Sequence, residues 1–116
     1  MSSDAGSEWP KVFKDDGGCD IILTEYAWHN HIVSHHPEMA LRIDLVGVAL
    51  ADPHIKQRSS VNIDRVSYYH FLPGMRLYVM VVTDWKEHPI RIVTSFLTER
   101  PKEGEIIYVR RPDSII

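Results

Sequence analysis

Cysteine is almost missing from this chain: Cys19 is the one cysteine in 116 residues. A single thiol excludes an internal disulfide and a zinc cage built on thiolates, and it fits a reducing compartment, so a cytoplasmic location is expected. Long apolar runs are missing too. The run Leu77 to Val82 is closed by Thr83 and Asp84, far short of the roughly 20 residues that a membrane helix needs. Met1-Ser2-Ser3-Asp4-Ala5 carries neither a basic segment nor an apolar one, so no signal peptide is expected. Positive charge is also scarce, with 13 Lys and Arg against 16 Asp and Glu and a formal net charge of −3. The basic excess common in nucleic-acid-binding proteins is therefore lacking, and a phosphate site would depend on the local field of a cleft. There is no internal repeat and no low-complexity segment. What remains is 44% hydrophobic and 25% charged, the balance of a globular protein of one-domain size.

Met1 to Glu8 is small and polar and reads as a mobile tail, leaving residues 9–116 as a single α+β domain. Asp15-Asp16-Gly17-Gly18 is a turn signal, and Ile21-Ile22-Leu23 a brief strand. Thr24 has the chemistry of a helix N-cap, with Glu25 favourable in the first turn. The first helix is predicted from about Glu25 to His35, with Tyr26, Trp28, Ile32 and Val33 inward. Pro37 ends it, biases His36 out of the helical region, and suits the first turn of a second helix. Met39, Ile43, Val46 and Leu50 repeat at helical spacing as far as Asp52-Pro53. The period then alternates. Strands are predicted at His54–Arg58, Val66–Phe71, Arg76–Asp84, Ile90–Thr98 and Glu105–Arg110. Short connections favour an antiparallel meander. The expected fold is two N-terminal helices packed on a four- to five-stranded antiparallel sheet.

Histidine is the anomaly. The chain has seven, and His29, His31, His35 and His36 fall within eight positions. His31 and His35 lie one helical turn apart. Three readings compete: acid–base chemistry by side chains that titrate near neutrality, a helix-borne metal pair, and plain capping of a helix C-terminus by imidazolium. The metal reading lacks the intervening Glu of the zinc-peptidase motif and an obvious third ligand beyond Glu38 or His36. For His29 and His35 the capping or surface reading is preferred.

The string Trp28-His29-Asn30-His31-Ile32-Val33-Ser34-His35-His36-Pro37-Glu38 resembles the W-x-x-H-I-x-x-x-H-P-E signature of phage and toxin nucleases in the barnase–EndoU–colicin–RelE superfamily. Ala49-Leu50-Ala51-Asp52-Pro53, Arg58, Tyr68-Tyr69 and Val93-Thr94-Ser95-Phe96 occupy the positions of that family's later features. The resemblance spans Ile21 to Arg110. It implies a metal-independent endoribonuclease without cofactor, cutting RNA (a tRNA or a message) by attack of the ribose 2′-OH, with a cognate inhibitor protein as a further expected partner and no membrane association. His31 and His36 are carried over as the acid–base pair.

Such chemistry needs a base, an acid and charge on the phosphorane. Arg58 is the expected phosphate clamp, because guanidinium binds two oxygens at once. Thr94 is expected to donate to the phosphate. Strict alternation puts it on one face with Ile90, Ile92 and Phe96, under the helices and within reach of the first. Tyr69 is expected to stack on a base or bond the phosphate, Glu38 to orient a histidine, and Lys56 and Arg65 to complete a local basic funnel, with Arg91 as a further member. Each has an ordinary alternative: a solvated arginine or lysine, a strand-forming threonine, a core tyrosine, an acid at a helix start. Against the whole reading stand a non-catalytic interaction module on the same scaffold and, third, a zinc-binding domain.

Overall fold

A computed structural model describes residues 8–110. The expected tail therefore lies outside the described residues except for Glu8, whose carboxylate pairs with Lys11 at 3.0 Å. Residues 111–116 also lie outside them.

The described residues open with a hairpin. Strand β1 (Lys11–Lys14) and strand β2 (Asp20–Leu23) are antiparallel neighbours. Asp15 organises their turn: its Oδ1 accepts from the N–H groups of Gly17 at 2.9 Å and Cys19 at 2.8 Å. Gly18 takes a φ of 88° there, a left-handed conformation that costs glycine nothing. Helix α1 follows (residues 25–35), capped by Thr24, whose Oγ1 accepts from the Ala27 N–H at 3.1 Å. Across Ala27–Ile32 it widens into a π-helix, ending with a bond from the Val33 N–H to the Trp28 carbonyl. Trp28 and Ile32 are its buried side chains. Pro37 ends it as expected: His36 leaves the helical region at φ −133° and ψ 72°, and Pro37–Met39 is only a 3₁₀ turn. Helix α2 spans Ile43–Ala51 and buries Val46, Ala49 and Leu50.

Five more strands complete the chain: β3 (Ile55–Arg58), β4 (Arg65–Leu72), β5 (Leu77–Asp84), β6 (Ile90–Thr98) and β7 (Glu105–Val109). The sheet order is β1-β2-β6-β5-β4-β3-β7. Every neighbouring pair is antiparallel except β2 and β6, which run parallel through Ile21↔Ile90 and Ile22↔Arg91. The helices cover one face. Ile21, Leu23, Ile32 and Leu50 are wholly buried there against Val79 and Val81, each side chain contributing about 2 kcal/mol by transfer from water.

The hairpin does not simply extend the sheet at its edge. Its turn comes back over the helix-covered face: the Tyr68 hydroxyl on β4 donates to Asp15 Oδ2 at 2.8 Å, and Lys56 Nζ on β3 lies 3.0 Å from Asp16 Oδ1. Phe13 lies against α2 so closely that a Cβ on Gly47 would come within 3.1 Å of its ring, which explains a glycine inside that helix. The sheet is curled far enough for its first hairpin to touch its far strands.

These findings correct the expected architecture. Among the described residues the sheet is seven-stranded and mixed, not four- or five-stranded and antiparallel, and strand residues outnumber helical ones, 41% to 22%. The helices are short and stand between a hairpin and the remaining strands, not at the N-terminus. The physical reason is the parallel β2–β6 pair. It lets the hairpin join the sheet from a distance, a pairing that local periodicity does not report. The second helix also begins later than its apolar stripe suggested, because Pro37–Met39 closes as a 3₁₀ turn.

Candidate functional site

The site's geometry starts from one irregularity in β6. Thr94 pairs with Val82 and Ile92 with Thr83, so Val93 is an extra residue, a β-bulge. The bulge resets which face each later side chain takes. Ile90 and Ile92 point to the helices, and Ser95, beyond the bulge, does so as well, its hydroxyl donating to the Met80 carbonyl at 2.8 Å. Thr94 and Phe96 therefore point to the opposite, helix-free face. The expectation that Thr94 sits with Ile90 and Ile92 beneath the helices is overturned by that one residue; its grouping with Phe96 stands.

On the helix-free face the register aligns Thr94, Val82, Ser67 and Gln57 in one row across β6, β5, β4 and β3, and Phe96, Met80, Tyr69 and Ile55 in the next. Two segments reach over this face. From one edge, the non-helical backbone at His36 carries its imidazole onto Phe96, with ring centroids 4.8 Å apart. Across the middle runs the β6–β7 connection, where the Lys102 N–H donates to the Tyr69 hydroxyl at 2.9 Å. The same lysine sets its Nζ 5.6 Å from the Phe96 ring centre. One phenyl ring thus joins an imidazole, an ammonium and, two residues away on the same strand face, a threonine hydroxyl.

Next to it lies a shallow cleft of about 230 Å³ whose lining includes Arg58, Arg65, Ser67, Tyr69, Lys102 and Glu103. Tyr69 forms its wall without being open to solvent: it is fully buried, and burial holds its phenol above the usual range. Stacking on a base is therefore not available to it, which corrects that expectation; the ring supports the crossover instead. Arg65 Nε pairs with Asp84 Oδ2 at 3.3 Å. The Asp84 carboxyl is held below the usual range, first by the Lys86 N–H and then by Arg65.

The other expected residues go elsewhere. His31 is exposed on the outer side of α1, since Trp28 and Ile32 take the inner side. Its ring lies 5.2 Å from that of His35, whose Nδ1–H donates to the His31 carbonyl at 2.8 Å. Glu38 does approach His36, with Oε2 4.0 Å from Nδ1. Lys56 and Arg58 pair across from Tyr68 and Val66, so both face the helix side. Two strands separate β3 from β6, which places Arg58 roughly 14 Å away across the sheet at about 4.8 Å per strand, on the wrong face for His36. Arg58 does not reach Phe96, although it borders the neighbouring cleft with Lys102 and Glu103; the cation against Phe96 is Lys102.

Lys102 and Glu103 were missed. Pro101-Lys102-Glu103-Gly104 reads as a turn, and nothing in its local pattern announces that it crosses the sheet. Phe96 is already visible in the Val93-Thr94-Ser95-Phe96 string. Among the described residues, no group of three or more His, Cys, Asp or Glu side chains is placed to hold a metal ion. No helix there is long and apolar enough to cross a membrane. In comparisons with protein families, with characterised proteins and with solved structures, nothing matches this chain.

Proposed function

We propose that this protein is a metal-independent endoribonuclease of the toxin or phage type, cutting RNA by attack of a ribose 2′-OH on its own phosphodiester to leave a cyclic phosphate. The observation that carries the reading is that His36 and the Lys102 ammonium both lie against Phe96, on the strand face that also carries Thr94. His36 is the acid–base group, half-exposed, with the Glu38 carboxylate 4.0 Å from its Nδ1. The Lys102 ammonium balances the charge that develops on the phosphorane, and the Thr94 hydroxyl donates to one of its oxygens. Glu103, on the same cleft wall, is the carboxylate that exchanges the second proton. His31 has no part in this arrangement, so the two-histidine pair reduces to one histidine and one carboxylate. The excess of acidic over basic residues supports a narrow substrate, such as a tRNA or a ribosome-bound message, over indiscriminate cleavage of RNA.

End-labelled RNA incubated with the purified protein in chelator tests this directly. Cleavage with cyclic-phosphate ends is expected, falling by roughly 10²- to 10⁴-fold in His36→Ala and unchanged in His31→Ala. Equal activity in His36→Ala overturns the assignment. RNA bound but never cut replaces it with the non-catalytic interaction module.

A further inference from the structure

On the other face of the sheet, between the returning hairpin turn and strands β3, β4 and β7, lies a cleft of about 530 Å³, within the range of small-molecule sites. Its floor is Tyr68, Val66 and Trp85, and its rim carries Ile63 and Ile107. Ile63 is 72% exposed and offers apolar surface at the cleft's rim.

The charges in this cleft are unequal in what they have to do. Asp15 is 7% exposed, and its two oxygens already accept from Gly17, Cys19 and Tyr68. Lys56 is paired with Asp16 and lies over the rings of Tyr68 and Tyr108. Arg58 differs: among the described residues it joins no salt bridge, and its Nε is sealed from solvent without a hydrogen-bond partner. A buried guanidinium N–H left unmatched is costly, and an acceptor brought by a ligand removes that cost.

We propose that this cleft binds a small monocarboxylate carried on an aromatic or branched apolar body, its carboxylate on Arg58 and its body against Trp85, Ile63 and Ile107. A carboxylate matches the planar fork of guanidinium. The charge balance argues for a single negative charge. Lys56 is neutralised by Asp16, and Asp64 also lines the cleft, so a phosphate dianion would meet one unmatched cation among several carboxylates. Arg58 also borders the cleft of Lys102 and Glu103, but the site uses neither of them nor His36 and does not rest on the nuclease reading.

Calorimetric titration of the full chain with naphthalene-2-carboxylate, with the Trp85 indole N–H followed by NMR, tests the proposal. Saturable binding that shifts the Trp85 signal is expected. Against it, naphthalene-2-methanol and 2-naphthyl phosphate are each expected to bind at least tenfold more weakly. Arg58→Met is expected to weaken the carboxylate at least tenfold, and His36→Ala to leave it unchanged. If Arg58→Met does not fold, the two comparison ligands on the unaltered protein still decide. Equal binding of the alcohol, tighter binding of the phosphate, or no Trp85 shift at millimolar carboxylate overturns the proposal.

Discussion

The two faces of this sheet leave different polar groups spare. Under the helices, Asp15, Lys56, Thr83 and Ser95 each have an assigned partner: the Thr83 hydroxyl donates to the Val66 carbonyl and Ser95 to Met80, while Asp15 takes three donors. On the helix-free face, His36 and Thr94 are half-exposed and Lys102 is exposed. Among the described residues neither Lys102 nor Thr94 has a side-chain hydrogen bond or ion pair. A polar group already satisfied within the fold serves stability, because any new bond would have to break an old one. A polar group held in place by a ring or a backbone bond, with its own donors spare, is available to a ligand. Arg58 is the exception on the helix side, and it therefore marks a second site there.

The largest effect that separates the faces is expected at Lys102. Its backbone N–H holds Tyr69 whatever the side chain, so Lys102→Ala removes the ammonium without unseating the crossover. Cleavage is expected to fall about 10²-fold, in the range seen when one charge-stabilising donor is removed, with an unchanged thermal midpoint. Thr94→Val, nearly isosteric, is expected to cost about tenfold and to leave stability within ~0.5 kcal/mol. A drop in stability equal to the drop in rate in either variant would mean that this face is structural after all.

The mirror-image variant is Tyr68→Phe on the helix side. It removes the donor to a buried carboxylate, a bond worth about 2 kcal/mol, and loosens the hairpin turn from β4. Urea unfolding is expected to shift by that amount while kcat stays constant. If kcat falls with it, the hairpin turn is coupled to the face of His36 and Lys102 and the division between faces fails.

How much of this was legible beforehand follows from the range of each interaction. The Thr24 cap, the Pro37 break and the turn at Asp15 to Gly18 are local chemistry, and the structure shows all three. Strands β4 to β7 form at the segments predicted for them. Strand β1, Lys-Val-Phe-Lys, offers only two apolar positions and gives alternation too little to work on. The parallel pairing of Ile21 with Ile90 joins residues far apart in the chain, which no window detects. The site suffered most from the bulge at Val93: one unpaired residue moved Thr94 to the other face. Helical spacing correctly put His31 beside His35, yet spacing alone does not say which side faces out. Trp28 and Ile32 decide that by claiming the core.

The smallest expected effect is a pH dependence on the helix side, where β3 begins. His54 Nδ1 accepts from the Phe71 N–H at 3.0 Å, so its neutral form carries the proton on Nε2. The ring stands 4.6 Å from that of His70, and His70 Nδ1–H donates to the Asp52 carbonyl at 2.7 Å. Arg110, paired with Asp52, is the nearby cation. Burial, then Arg110, then His70 hold the His54 imidazole below its ordinary 6.5, with Asp52 opposing them. As pH falls past 6.5 the unfolded chain therefore takes up this proton before the folded one does. The stability that His54 contributes is complete above that pH and is lost as the pH falls through the lower, folded value. Urea midpoints measured from pH 7 down to pH 5 are expected to decline, and to decline less steeply in His54→Asn, whose amide oxygen still accepts from Phe71. An identical slope in the two proteins would assign the acid sensitivity to other groups. A flatter slope with unaltered cleavage between them would place this titration wholly on the face that holds the fold together.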